Sequence, residues 1–328
     1  MHRHDKPLLF CLNQSYSLGK AVAEKLGWPL SPHEEIEFEY GEHKSRPLVE
    51  VGGRDIYVVH HLEGEPEQSA NDKIVRLLFF IGALKQAGAR QVIAIVPYLP
   101  YSRKERRTKP RDPVNSRYLA ALFESLGTDI LITVEVHNLA AFENAFHHCR
   151  AENIAVAGLM ADHIVPMIDN EPVTVVSPDA GGAKRAELFR TVLEKKIGRP
   201  VMNAMLEKHR SAGVVSGSLF AGDVDGRCAI IIDDMISSGG TILRATQACR
   251  DHGAKRIIAA AAHGLFTDGS DMLFTKDGPD VVLVTDSVSA GSATQFDRLQ
   301  IVSIASLLAA AIDCLNNGDP LYDLLPYN

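Results

Sequence analysis

The chain has 328 residues, 46% of them hydrophobic and 23% charged. That composition builds a cored globular protein, excludes disorder and collagen-like repeats, and at roughly 150 residues per domain predicts two domains. Lys plus Arg number 34 against 41 Asp plus Glu, a formal net charge of −7, which argues against a protein held to nucleic acid by bulk positive charge. The longest apolar runs, such as Ile257 to Ala262, fall far short of the roughly 20 residues a membrane helix needs.

The polar opening Met1 to Lys6 does not read as a secretory leader, so a cytoplasmic protein is expected. Leu8 to Leu12 predicts a first strand, followed by a helix over Lys20 to Leu26 that stops at Gly27. Asp55 to His60 predicts another strand. Asn71 is the expected cap of a helix from Asp72 to Gln86, with Ile74, Leu77, Leu78, Ile81 and Leu84 at helical spacing and Gly88 as its stop. Gln91 to Val96 predicts a strand, then comes a long loop, a helix over Asn115 to Leu126 and a strand over Ile130 to Val136. The second half repeats the pattern. Strands are predicted at Val173 to Val176, Cys228 to Ile232, Arg256 to Ala262, Val281 to Val284 and Ile301 to Ile304. Helices are predicted at Ala183 to Lys196, Thr241 to Asp251 and Ser306 to Cys314. Short β-branched runs alternating with amphipathic stretches make an α/β fold with mainly parallel sheets. Counting strands places the domains at 1–152 and 153–304, with 305–328 as a terminal helix packing back on the first. Cys11, Cys149, Cys228, Cys249 and Cys314 are scattered, odd in number and without a CxxC pair, so free thiols in a reducing compartment are expected.

The most informative segment is Ile230 to Ile242, IIIDDMISSGGTI. A hydrophobic strand delivers Asp233 and Asp234 to its C-terminal edge, where open α/β sheets bind ligands. Ser237, Ser238, Gly239, Gly240 and Thr241 then turn into a helix. The glycines let backbone N–H groups form a nest, and the helix start favours an anion such as phosphate. Two acids just upstream suit a sugar diol or a metal ion. A Gly-Gly turn alone is an ordinary connection; the acid pair is what marks it. A second turn, VSPDAGGAKRA (Val176 to Ala186), places Asp179 to meet a metal and Gly181-Gly182 to approach an anion. In ITVEVHNLAAFENAF (Ile132 to Phe146), period-two spacing puts Glu135 and His137 on one side of a strand end. An oxygen-rich Mg2+ site takes only one or two such protein groups. The loop PYLPYSRKERRTKPRDP (Pro97 to Pro113) concentrates Arg103, Lys104, Arg106, Arg107, Lys109 and Arg111 in an acidic chain. It suits a triphosphate better than nucleic acid, since no aromatic platform accompanies it.

The IIIDDMISSGGTI string is similar to the phosphoribosyl-pyrophosphate loop of type I phosphoribosyltransferases and ribose-phosphate pyrophosphokinases, with Ser237 where that loop commonly has Asp. Together with the other motifs, in this order and spacing, it resembles the ribose-phosphate pyrophosphokinase family from Asn13 to Leu325. The extreme N-terminus and Tyr40 to Leu62 match poorly. The resemblance implies two similar phosphoribosyltransferase-like domains, each a mainly parallel sheet flanked by helices, in a homo-oligomer built from dimers, commonly a hexamer. It implies synthesis of 5-phosphoribosyl 1-pyrophosphate from ATP and ribose 5-phosphate with Mg2+, and neither nucleic acid nor membrane as partner. By the same resemblance His137 and Asp179 match the metal site, with Glu135 in place of a neighbouring Asp. Arg103 and Arg111 match the arginines that bind ATP phosphates, and Lys104 stands where Gln is usual. Lys208 and Arg210 match the mobile catalytic loop; Asp233, Asp234, Ser237, Ser238, Gly239, Gly240 and Thr241 match the ribose 5-phosphate loop. Phe38, Gly41 and Glu42 resemble the adenine-contacting stretch contributed by a neighbouring subunit, with Tyr40 where Asp or Asn is usual. Two other readings share parts of this pattern: a base phosphoribosyltransferase, which needs only the Asp233 to Thr241 loop, and a non-catalytic regulatory paralogue.

Overall fold

The computed structural model describes residues 6–211 and 214–326, and side chains outside 207–218. The chain divides into two compact units, Met1–Ala155 with Ala305–Asn328, and Val156–Ile304.

The first unit runs β1 (Leu8–Cys11), α1 (Tyr16–Leu26), β2 (His33–Glu37), β3 (His43–Pro47), β4 (Asp55–Val59), α2 (Ala70–Gln86), β5 (Gln91–Ile95), α3 (Asn115–Ser125), β6 (Ile130–Val134), α4 (Leu139–Glu143) and β7 (Arg150–Ile154). Its main sheet has the order β1-β4-β5-β6-β7, every pair parallel. Alternate residues of these strands share a face. On one face Phe10, Ile56, Val58, Val92, Ala94 and Leu131 form a core with Leu77, Ile81 and Leu84 of α2 and Leu119 and Phe123 of α3. Each such fully buried aliphatic side chain contributes roughly 1.5–3 kcal/mol.

The cap of α2 corrects the expectation for Asn71. Ser69 is the N-cap, its Oγ accepting the Asp72 amide at 3.2 Å while the Asp72 carboxylate accepts the Ser69 amide at 2.9 Å. This reciprocal pairing satisfies two donors where Asn71 would satisfy one. Asn71 lies inside the first turn and accepts the Tyr101 hydroxyl at 2.5 Å. The antiparallel hairpin β2–β3 escapes a hydropathy reading because its sequences, HEEIE and HKSRP, have no apolar alternation. Ion pairing ties it to α2 instead: the nearly buried Arg76 meets Glu37 at 2.6 Å, and the His43 ring stacks on Phe79. Beside it the fully buried Lys73 meets Glu65 at 2.6 Å.

The second unit runs α5 (Ala157–Ile168), β8 (Val173–Ser177), α6 (Ala183–Ile197), β9 (Met202–Ser211), β10 (Val214–Ala221), β11 (Cys228–Ile236), α7 (Gly240–Asp251), β12 (Arg256–Gly264), β13 (Val281–Thr285) and β14 (Leu299–Val302). The sheet order is β10-β9-β8-β11-β12-β13-β14, parallel except for the β9–β10 hairpin. Its core joins Ala229, Ile231, Ala259, Val282 and Val284 to Ile242, Ala245 and Cys249 of α7. The last strand lies two residues earlier than Ile301 to Ile304. Leu299 already pairs with Val282, and the Ile304 amide has left the ladder for the Asp286 carboxylate at 2.7 Å. Finally α8 (Ala305–Asn317) returns to the first unit and packs on α1.

All five cysteines are free, four of them buried. Burial pushes the thiols of Cys11, Cys149, Cys228 and Cys249 up to about 12, so they are inert side chains of the core.

Candidate active site

In the second unit the acid pair lies inside β11, because the strand extends four residues past Ile232, to Ile236. On one side β11 pairs with β8 only as far as Ile231, whereas on the other it continues beside β12 to Ile236. Asp233 and Asp234 therefore emerge just beyond the end of β8, at a step in the sheet edge. Asp234 is 2% exposed, and its amide donates to Asp233 Oδ1 at 2.9 Å. Arg185, in the first turn of α6, places Nη1 3.5 Å from Asp234 Oδ1 and 4.0 Å from Asp233 Oδ1. Motif reading passed over this arginine. Its one sequence signal is a cation at a helix start, where the dipole disfavours it.

Gly239 is the N-cap of α7 at φ +77°, a conformation open to glycine and costly to other residues. No side-chain cap bond is made there, and the first N–H groups of this twelve-residue helix have no intrahelical partner. Such a turn and helix start form a cradle that can take an anion. Ser237 hydrogen-bonds the Thr267 hydroxyl at 3.1 Å, which braces the cradle against the end of β12.

Burial, the neighbouring Asp234 charge and a hydrogen bond between the two carboxyls push Asp233 up to about 7, with Arg185 pulling the other way. Between roughly pH 4 and 7 the folded chain thus holds a proton that the unfolded chain releases. The stability contributed by this group falls as pH rises through that window. In the ligand-free protein, Asp233→Asn should gain in melting temperature relative to wild type as pH is raised from about 5 to 7.5. A difference that is constant with pH would show that Asp233 ionises normally.

The second turn differs from its sequence reading. Asp179 Oδ1 accepts the amides of Gly181 at 3.0 Å and Gly182 at 3.2 Å. The Gly-Gly donors expected to approach an anion are engaged by Asp179's own carboxylate. The Ser177 hydroxyl closes the turn on the Asp179 carbonyl at 2.6 Å.

In the first unit the Glu135–His137 expectation needs correction. Strand β6 stops at Val134, and Glu135 adopts φ +43° while its amide donates to the Ile154 carbonyl. The alternation that would align the two side chains is broken at Glu135 itself. His137 follows as an exposed residue at the sheet edge, one position before Asn138 caps α4. His60, His61, His147 and His148 take structural positions: the first two are buried after β4, and the amides of the others donate to Glu124.

The basic loop is folded by Asp112. Its carboxylate accepts the amides of Thr108 and Lys109 and the Thr108 hydroxyl at 3.1, 2.8 and 2.7 Å, and these bonds hold it below the usual carboxylate range. Arg111 sits at φ +69° and Tyr101 at φ +63°, backbone strain of the sort that accompanies binding loops. Arg103, Lys104 and Arg111 are exposed and make no ion pair among the described residues. Phe38, Gly41 and Glu42 lie at the tip of the β2–β3 hairpin, closed by the Phe38 amide on the Glu42 carbonyl at 2.7 Å. Phe38 is half exposed there, and Tyr40 fully exposed at φ +61°. Lys208 and Arg210 belong to β9, but their side chains lie outside the described residues. Among the described residues no three His, Cys, Asp or Glu converge as a metal cage. A Mg2+ ion bound largely through substrate oxygens needs none.

Comparison with known proteins adds an independent line. Residues 8–127 match the model of the N-terminal domain of ribose phosphate pyrophosphokinase, and residues 203–325 that of the phosphoribosyl synthetase-associated domain. The chain is 32% identical over 318 residues to the ribose-phosphate pyrophosphokinase of Fusobacterium nucleatum, covering 96% of this chain and 97% of that one. It is 33% identical to the enzyme of that name from Ureaplasma parvum, over 97% of this chain and 94% of the other. The crystal structure of phosphoribosylpyrophosphate synthetase from Mycobacterium smegmatis matches with a TM-score of 0.86 at 30% identity, covering 95% of this chain and 100% of that one.

Proposed function

The chain belongs to the ribose-phosphate pyrophosphokinase family, and on that premise we infer that it transfers the pyrophosphoryl group of ATP to the C1 hydroxyl of ribose 5-phosphate. The products are 5-phosphoribosyl 1-pyrophosphate and AMP. The observation that carries the reading is the pairing of two buried-edge carboxylates with an uncapped helix start across the five-residue turn Ser237–Thr241. One end accepts hydrogen bonds, as a ribose diol requires; the other donates them, as a phosphate requires.

In this reading Ser237, Ser238, Gly239, Gly240 and Thr241 hold the 5-phosphate, and Asp233 and Asp234 accept from the sugar hydroxyls. Arg103, Lys104 and Arg111 take the ATP phosphates. Their exposure, with no ion pair among the described residues, supports the assignment, since it leaves positive charge accessible to a polyphosphate. The C1 oxygen attacks the β-phosphorus in line, the bond from that phosphorus to the α–β bridging oxygen breaks, AMP departs with that oxygen, and the proton of the C1 hydroxyl is released to solvent. Such chemistry depends on positioning and charge stabilisation more than on covalent catalysis. Lys208 and Arg210 supply a point charge and a planar fork over the migrating group. When bound, Mg2+ would neutralise polyphosphate charge; His137 and Asp179, with Glu135, are the protein groups assigned to hold it. The exposed Phe38 and Tyr40 at the hairpin tip support donation of Phe38, Gly41 and Glu42 to the adenine site of a neighbouring subunit, in a homo-oligomer built from dimers. No helix among the described residues is long and apolar enough to cross a membrane.

Incubating the purified protein with ATP, Mg2+ and ribose 5-phosphate should yield AMP in step with ribose 5-phosphate consumed. No AMP at any phosphate concentration would overturn the catalytic reading in favour of the regulatory paralogue.

A further inference from the structure

We infer that Arg185 is the positioning residue of the ribose end of the site, holding Asp233 and Asp234 side by side as a ready pair of acceptors; this deepens the pyrophosphokinase reading and rests on it. Adjacent carboxylates at the end of a strand repel, and the repulsion grows as water is excluded. Here the side chains of Asp233, Asp234 and Arg185 are 19%, 3% and 18% exposed, so solvent does little to screen them. Asp233 stands opposite Ala261 on β12, and the charged groups acting on it are Asp234 and Arg185. The Arg185 guanidinium from α6 offsets part of that repulsion.

The geometry defines how it acts. Toward the acid pair, Nη1 lies 3.5 Å from Asp234 Oδ1 and 4.0 Å from Asp233 Oδ1. That is a point charge beside two carboxylates, unlike the two-pronged short bonds of a fork-to-fork pair. A carboxylate has about four lone-pair sites, so an acid steadied in this way keeps capacity for a sugar hydroxyl. The location is costly for a cation, since the positive end of the α6 dipole lies in the same turn. Lys184, the preceding residue, is exposed and makes no ion pair among the described residues, which makes it the natural control.

The test measures both KM values in steady-state AMP formation, and ribose 5-phosphate binding by calorimetry, for Arg185→Met, Arg185→Lys and Lys184→Met. Arg185→Met should raise KM and Kd for ribose 5-phosphate about tenfold or more while the KM for ATP stays within about twofold. Because charge and not fork geometry is used, Arg185→Lys should stay within about threefold of wild type. Lys184→Met should change neither. Unaltered ribose 5-phosphate affinity in Arg185→Met, equal losses for both substrates, or the same loss in Lys184→Met would overturn the assignment. Should Arg185→Met fail to fold, Arg185→Lys decides: the full loss in that charge-keeping variant overturns it, and near-wild-type affinity upholds it. A wild-type chain that neither forms AMP nor binds ribose 5-phosphate overturns the functional reading and this inference together. An active wild type with an unaffected Arg185→Met overturns this inference alone.

Discussion

Gly239→Ala should raise the KM for ribose 5-phosphate by about ten- to a hundredfold, leave the KM for ATP nearly unchanged, and lower the melting temperature. Two costs add at this position. A φ of +77° places a Cβ against the following carbonyl, worth roughly 1–2 kcal/mol. A Cβ built there would also lie 2.7 Å from both Cδ1 and Cγ of Leu273, a fully buried core residue packed with α7. Leu273 has no room to yield, so the turn must move, and overpacking of this kind costs roughly 1–3 kcal/mol. Moving the turn moves the amides of the cradle with it. Gly240→Ala is the matched control: its Cβ would meet nothing nearer than Arg244 Nη1 at 3.5 Å, and its φ is not positive. That variant should keep ribose 5-phosphate affinity within a few-fold. Equal effects at the two glycines would dissociate the cradle from substrate binding.

Lys208→Ala is the second large effect, expected in turnover and not in affinity. The β9–β10 hairpin places the Lys208 backbone opposite Ser218, on strands at the edge of the second sheet. A cation assigned to the migrating pyrophosphoryl group interacts most strongly as charge redistributes in the transition state. Losing one such donor typically costs about a hundred- to a thousandfold in turnover, and a full charge on a polyphosphate belongs at or above the top of that range. The KM for ribose 5-phosphate should stay within about threefold, because that substrate is assigned to the β11–α7 turn. Rapid-quench measurement of AMP separates chemistry from product release. Near-wild-type turnover would remove Lys208 from the catalytic role.

The two variants probe elements that differ in how they could be foreseen. The cradle was legible as a string: an apolar run, two acids, then hydroxyls and glycines, each residue type doing locally what its chemistry allows. The glycine stops were legible for the same reason, and Gly27 and Gly88 both adopt positive φ. The α2 cap was misread because Asn71 and Ser69 are both capable caps, and only the reciprocal bond from Asp72 selects between them. Glu135 escapes the pattern because alternation assumes a continuing strand, whereas its backbone is left-handed and its N–H donates to the Ile154 carbonyl, nineteen positions on. The hairpin β2–β3 gave no hydropathy signal since Arg76, from a helix far along the chain, holds it.

Sequence alone determined the α/β class, the positions of most strands and helices, and the string of acids, hydroxyls and glycines proposed to take sugar and phosphate. These are consequences of side-chain periodicity, backbone freedom at glycine, and acid or base chemistry carried in a few consecutive residues. Only the tertiary structure decided that β8 stops short beside the acid pair, that Asp179 fills its own turn, and that Arg185 reaches Asp233 and Asp234. Strand order and helix packing bring together residues some fifty positions apart, and no local pattern encodes which charges will meet once water is excluded between them.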